Sequence, residues 1–128
     1  MSRPIKFRAW DTELKQFLYH KLGERHWYTA DNRAVLFDHD DHHETAFKTG
    51  RLRDPQEFTG LHDKNGKEIY EGDILEYYMG SYWNVVYSED SFCRELIGGR
   101  YPRKKQLGID LFEFEVIGNV HENPELIP

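Results

Sequence analysis

Phe58-Thr59-Gly60-Leu61-His62-Asp63-Lys64-Asn65-Gly66-Lys67-Glu68-Ile69-Tyr70-Glu71-Gly72-Asp73-Ile74-Leu75 decides the fold, because it packs two turns and the start of a strand into eighteen residues. Asn and Gly tolerate positive φ, and the Asn-Gly pair matches the twist of paired strands, so Asp63-Lys64-Asn65-Gly66 predicts a hairpin. Apolar Leu61, Ile69 and Tyr70 flank it. Glu71-Gly72-Asp73 predicts a second sharp turn. From there Ile74-Leu75-Glu76-Tyr77-Tyr78 enters a β-run rich in aromatic and branched side chains.

Toward the C-terminus the β-runs come at short intervals, over 74–79, 83–87, 92–97 and 113–119, with turns at Gly80-Ser81, Glu89-Asp90-Ser91 and Gly98-Gly99. This spacing predicts a small antiparallel barrel or sandwich. Phe112, Phe114 and Val116 alternate with Glu113, Glu115 and Ile117, which places the glutamates toward solvent and the aromatics in the core. The last run is expected to close the sheet, and Asn123-Pro124 to end regular pairing.

Toward the N-terminus, Ile5, Phe7 and Ala9 alternate with Lys6, Arg8 and Trp10, the period of a half-buried strand. Asp11-Thr12 turns the chain, residues 16–20 read as a second strand, and residues 26–30 as a third that ends at Asp31-Asn32. Ala34-Val35-Leu36-Phe37 is apolar but brief, and residues 38–44 are wholly polar, which predicts a loop. Asp54-Pro55 is read as the boundary between this meander and the barrel, since a residue before proline is pushed out of the helical region. One short helical turn is expected over 54–57. The organisation predicted is a β extension with a variable polar loop over 1–57 and a barrel over 58–128, in one compact unit.

The stretch Thr59-Gly60-Leu61, with Asp63-Lys64-Asn65-Gly66-Lys67-Glu68-Ile69-Tyr70-Glu71-Gly72-Asp73-Ile74, resembles the signature of the YopX family, small proteins encoded by bacteriophages and prophages. Lys6-Phe7-Arg8-Ala9-Trp10-Asp11 resembles that family's opening strand, and Phe114-Glu115-Val116-Ile117-Gly118-Asn119-Val120-His121-Glu122-Asn123-Pro124-Glu125-Leu126 resembles its closing segment. The order covers the whole chain, with little of the pattern between Lys21 and Asp54. The resemblance implies a mostly β fold with an SH3-like barrel, self-association, and no established biochemical activity. It carries no assigned catalytic residues.

The composition agrees with a β protein. Aromatic residues make up 15% of the 128 residues against a hydrophobic content of 38%, so the core must lean on side chains that suit pleated sheets. No run approaches the ~18 apolar residues of a membrane helix, and the start Met1-Ser2-Arg3-Pro4-Ile5-Lys6 lacks the apolar core of a signal peptide. A cytoplasmic protein without a membrane partner is expected. Cys93, the single cysteine, cannot form an internal disulfide and reads as a small buried side chain of a reducing compartment. The formal net charge of −6 comes entirely from residues 58–128, which hold seven basic and thirteen acidic side chains, against ten of each in residues 1–57. That acidic half repels phosphate at long range.

Three sets of residues bear on chemistry. His39, His42 and His43, among Asp38, Asp40, Asp41 and Glu44, are the densest set of possible metal ligands. On a helix these three imidazoles share one face and can bind zinc, but no apolar periodicity holds such a helix in place, and a solvated loop without metal or other cofactor is the reading adopted. Asp63, Asn65 and Lys67 resemble the start of a calcium loop, yet an EF-hand needs Gly at its sixth and Glu at its twelfth position, where this chain has Glu68 and Ile74. Glu113 and Glu115 form a carboxylate pair of the kind acid–base catalysis uses. They read as solvated strand positions, because a raised pKa requires burial.

Arg100-Tyr101-Pro102-Arg103-Lys104-Lys105 is the main binding candidate. No acidic residue lies between Glu95 and Asp110, so four cations stand alone in an acidic half beside a stackable tyrosine. The stretch is read as a solvated loop, an electrostatic contact with a protein, or a grip on a nucleic-acid backbone with Tyr101, Tyr82 or Trp83 stacking on bases. Strands with both faces aromatic, as at Tyr77-Tyr78 and Tyr82-Trp83, exceed what one small barrel can bury, so part of that surface is expected to meet another chain. No nucleophile–base pair is visible. The function expected is therefore a non-enzymatic, homo-oligomeric interaction module that also serves a host or phage protein, with nucleic-acid binding through the basic stretch as the alternative.

Overall fold

The computed structural model describes residues 5–37, 43–98 and 103–126. The chain divides into two units, residues 1–58 and 59–128. Both are built from antiparallel β-sheet.

In the first unit β1 (Lys6–Asp11), β2 (Gln16–Lys21) and β3 (Trp27–Tyr28) form the expected meander, the brief apolar run adds a fourth strand, β4 (Ala34–Val35), and β5 (Leu52–His62) adds on the far side of β1 in the order β4-β3-β2-β1-β5. The β1–β2 register sets Ala9 opposite Leu18 and Trp10 opposite Phe17. Ala9 and Leu18 are fully buried with Trp27, Phe37, Ala46 and Leu52. The other face of β1 is covered as well: Arg8 is buried, its Nε donates to Gln56 Oε1 at 2.8 Å, and its guanidinium lies 4.0 Å from the Phe17 ring centre. The β1–β2 turn is organised by Asp11. Its buried carboxylate accepts the Glu13 and Leu14 amides at 2.9 and 3.1 Å and pairs with Arg51 at 3.1 Å.

Two expectations change here. A short helix, α1 (His43–Lys48), occupies the end of the segment read as a loop. It is too short for an apolar period to show, and Ala46 and Phe47 anchor it by packing into the core of the unit. The helical turn expected over 54–57 is strand instead, since Asp54 and Pro55 lie inside β5. Asp54 takes a positive φ of 51° there, and the β1–β5 register shifts between Arg8 and Trp10, so a bulge absorbs the irregularity.

The second half of β5 pairs with β6 (Glu68–Tyr70) through the predicted hairpin. A five-stranded sheet follows, built from β7 (Asp73–Tyr77), β8 (Tyr82–Ser88), β9 (Ser91–Leu96), β10 (Lys104–Gln106) and β11 (Phe114–Asn119) in the order β10-β9-β8-β7-β11. Its core joins Ile69, Leu75, Trp83, Val85, Leu111, Phe114 and Val116. Arg94 is buried against it, its guanidinium 4.9 Å from the Trp83 ring centre and 4.6 Å from that of Phe114. Because β10 and β11 pair with each other through no described residue, the expected closed barrel is an open sheet among the described residues. Phe112 also departs from expectation. It falls in a 3-10 helix over Ile109–Glu113 rather than in the strand, and is 69% exposed.

The deciding stretch works by satisfying backbone donors. Asp63 is 7% exposed. Its Oδ1 accepts the amides of Asn65 at 2.8 Å and Lys67 at 2.9 Å, and its Oδ2 accepts that of Val116 in β11 at 2.9 Å. Gly66 takes φ 82° to close the turn, a region glycine enters without steric cost. Ten residues on, Asp73 Oδ2 accepts the Tyr70 amide at 2.8 Å, and the Thr59 hydroxyl donates to the Ile69 carbonyl at 2.7 Å. In the closing segment Asn119 Oδ1 accepts the His121 and Glu122 amides at 2.9 and 2.8 Å.

Candidate functional site

The richest exposed surface lies at one end of the five-stranded sheet. The β7–β8 hairpin reverses at this end, where Tyr77 donates its amide to the Ser81 carbonyl at 2.8 Å. The strand register sets Glu76 opposite Tyr82, and Tyr77 opposite Phe114. Tyr78 donates its amide to the Glu113 carbonyl at 3.2 Å, which brings the 3-10 helix beside the hairpin. The aromatic excess seen in the sequence is left outside: Tyr78 is 63% exposed, Met79 71%, Tyr82 38% and Phe112 69%. Trp83, the neighbour of Tyr82 on the opposite face, is buried. Alternation thus sends one ring of each pair inward and leaves its partner for solvent or another molecule.

Two carboxylates are threaded among these rings. The Tyr77 phenol is pushed up to about 12, first by its hydrogen bond with Tyr78, then by desolvation and by the Glu113 carboxylate. The Tyr82 phenol is raised by its hydrogen bond to Glu76, whose charge opposes formation of a phenolate. Tyr77 and Tyr78 lie with ring centres 4.6 Å apart, and Tyr77 and Phe114 with theirs 4.9 Å apart. Among the described residues neither Glu76 nor Glu113 has a cationic partner. The surface is therefore aromatic and acidic.

The described part of the basic stretch, residues 103–105, lies at the other edge of the sheet, with Arg103 nearest this end and Lys105 two positions further in. Leu96 donates its amide to the Arg103 carbonyl at 2.8 Å, and Ile97 donates to the Tyr82 carbonyl at 2.9 Å. Arg100 and Tyr101 lie outside the described residues. Lys104 and Lys105, expected in a loop, are exposed in the edge strand β10, opposite Glu95 and Arg94. Lys104 is engaged within the sheet, 3.7 Å from Glu95 and 3.2 Å from the Ser88 hydroxyl. Arg103 and Lys105 are exposed and make no ion pair with a described residue.

The remaining candidates separate. His39 and His42 lie outside the described residues. His43 opens α1 and faces rings rather than carboxylates, with its ring centre 5.6 Å from that of His20 and 6.0 Å from that of Trp27. His20 stacks on Trp27 at 5.0 Å and bonds through Nε2 with the Glu24 carbonyl at 2.7 Å. With Phe7, Leu22, Phe47 and Pro55 these side chains line a cavity of about 290 Å³ in the first unit. Single-residue patterns gave no sign of it, since its rings come from three strands and a helix. Among the described residues no group of three His, Cys, Asp or Glu side chains is placed to hold a metal ion. Glu113 ends the 3-10 helix and Glu115 lies in β11, where it contacts Lys64 at 3.8 Å and Asn65 at 3.3 Å. Asp63 and Asn65, the start of the apparent calcium loop, bond to backbone and to Glu115. Cys93 is buried beside the Ser91 hydroxyl, 3.7 Å away.

The molecule is thus a mainly β protein of two antiparallel sheets, with an aromatic and acidic sheet end beside a basic edge strand. Residues 6–128 match the family described as YopX protein, and the chain belongs to that family. Among solved structures it is similar to the crystal structure of protein EF1440 from Enterococcus faecalis, with 27% identity and a TM-score of 0.59 over 99% of this chain and 100% of that one. No curated protein matches the chain. None of its described helices is long and apolar enough to cross a membrane.

Proposed function

We propose that this protein is a non-enzymatic interaction module that self-associates, and that it serves a phage or prophage in the cytoplasm of a bacterial host. The observation that carries this reading is the concentration of Tyr78, Met79 and Phe112, all more than three-fifths exposed, at one end of one sheet. Large exposed apolar clusters rimmed by polar groups mark protein contact sites, and the two carboxylates and raised phenols at this end give it a polar rim. The buried acidic side chains also support a non-catalytic reading, because Asp11, Asp63 and Asp73 are occupied by backbone amides and by Arg51. Light scattering after size exclusion tests the proposal: more than one subunit per particle is expected at micromolar concentration. A monomer at every concentration would refute self-association.

The exposed Arg103 and Lys105 favour a second reading, a nucleic-acid contact that also uses Arg100, Tyr101 and Lys104. It is tested by fluorescence anisotropy of labelled DNA and RNA at low and near-physiological salt. Binding that falls steeply with salt and disappears when the four cations become alanine would move this reading to first place.

A further inference from the structure

We infer that the rim formed by Tyr77, Tyr78, Phe112 and Glu113 takes an arginine side chain from a segment of a partner protein, with the guanidinium on the Glu113 carboxylate and against the tyrosine rings. This inference rests on the reading of that sheet end as a protein contact site and adds the chemistry of what it holds. It concerns a partner of opposite charge, so its test is separable from that of self-association.

Two short segments build the rim. β7 ends at Tyr77, and the turn that follows, with Gly80 at φ 97°, leaves Tyr78 63% exposed. The 3-10 helix Ile109–Glu113 ends beside this turn, because the Tyr78 amide donates to the Glu113 carbonyl at 3.2 Å. Phe112, one residue earlier in that helix, is 69% exposed. The register sets Tyr77 opposite Phe114, which is buried and backs it from the core. The Tyr77 and Tyr78 ring planes meet at 61° with their centres 4.6 Å apart. This is an edge contact, so Tyr77 does not cover the Tyr78 ring as a stacked partner would.

Every group at this rim favours a positive charge. The faces of aromatic rings are negative, and a cation placed over Tyr or Phe is attracted to them. Glu113 is half-buried, shares a hydrogen bond with the Tyr77 phenol, and makes no ion pair with a described residue. A carboxylate offers about four acceptor positions, which leaves room beside the phenol for the two parallel N–H groups of a guanidinium. A calcium ion fits poorly, since it needs about six to eight oxygen ligands and this rim offers one carboxylate and two phenols. Guanidinium is planar and weakly hydrated, and it stacks on rings while it forks onto a carboxylate, whereas an ammonium is a compact, strongly hydrated charge. The source follows from the charge of the chain. Residues 58–128 hold thirteen acidic and seven basic side chains, a field that draws a basic partner at long range. A second copy would bring the same excess of negative charge to the contact.

Titration of the full chain with a short glycine peptide carrying arginines, followed by NMR, tests the site. Saturable shifts are expected at the Tyr78 and Glu113 amides. A peptide with citrulline in place of arginine, the same shape without the charge, should bind at least about tenfold more weakly. A lysine peptide should bind at least about threefold more weakly. Glu113→Gln and Tyr78→Leu, each checked for folding by circular dichroism, should raise the Kd of the arginine peptide at least about fivefold. Glu125→Gln removes the same charge from an exposed position beyond the far end of β11, and should leave the Kd within about twofold. No saturable shift up to millimolar peptide, equal affinity for the citrulline peptide, or an equal loss in Glu125→Gln would overturn the site. Equal affinity for the lysine peptide would overturn the assignment of a guanidinium. Light scattering on the same sample separates the two readings. An oligomer that takes no arginine peptide overturns this inference and leaves self-association standing, and a monomer that binds the peptide overturns self-association alone.

Discussion

Replacing Asp63 by alanine removes one carboxylate and strands three backbone amides in two elements that are fifty residues apart in sequence. The Asn65 and Lys67 amides lie in a half-exposed turn where water can replace the lost acceptor, so each is expected to cost about 0.5–1 kcal/mol. The Val116 amide is buried in β11, and leaving it without an acceptor costs about 2–3 kcal/mol on top. The total, about 3–5 kcal/mol, is a large share of the roughly 5–15 kcal/mol by which domains are stable. Asp63→Asn keeps one acceptor oxygen but turns an amide donor toward another N–H, so it recovers less than half of the loss. Urea unfolding gives the global figure, and hydrogen exchange at the Val116 amide gives the local one. Exchange at Val116 is expected to accelerate more than at amides of β8, which Asp63 does not touch. A loss below 1 kcal/mol with unchanged protection at Val116 would refute the claim that this carboxylate ties the hairpin to β11.

Two further outcomes follow from the same geometry. Ultraviolet titration should find one phenol ionising near pH 12, assigned to Tyr77 by its loss in Tyr77→Phe. Tyr78→Phe should lower that value more than Glu113→Gln does, since the hydrogen bond with Tyr78 is the larger cause. Because the folded value lies above the unfolded one near 10, the stability Tyr77 contributes is complete below pH 10 and is lost as the pH rises toward 12. Gly118→Ala would place a methyl 2.2 Å from Asn123 Oδ1 and 2.6 Å from its Cγ. Asn123 must then move and give up its bond to the Asn119 amide, at a cost of about 1–3 kcal/mol visible as a lower Tm. An unchanged Tm would show that Asn123 relocates freely.

Family membership and fold class were legible because the chain marks its turns with residues of special backbone chemistry. Asp63-Lys64-Asn65-Gly66 and Glu71-Gly72-Asp73 became the turns they predict, and the β-runs around Trp83 and Phe92 became β8 and β9 with ends within a residue of expectation. The candidate site was legible only in part. The surplus of rings at Tyr77-Tyr78 and Tyr82-Trp83 marked surface that a small core could not bury, and Tyr78 and Tyr82 are indeed exposed. Phe112 misled, since an alternating pattern runs unbroken from strand into 3-10 helix and only the backbone decides which rule applies. α1 was hidden because six residues span less than two turns.

The sequence by itself determined where the chain turns, which segments are strands, and to which family the protein belongs, because turn residues and alternation act through neighbours a few positions apart. Tertiary structure alone decided that the second sheet is open among its described strands. It also decided that Asp63 and Val116 meet across the chain, and that a basic edge strand and an acidic, aromatic turn belong to one sheet. These depend on strand order and register, which are set by contacts between residues far apart in the chain, and no local pattern of residue types encodes them.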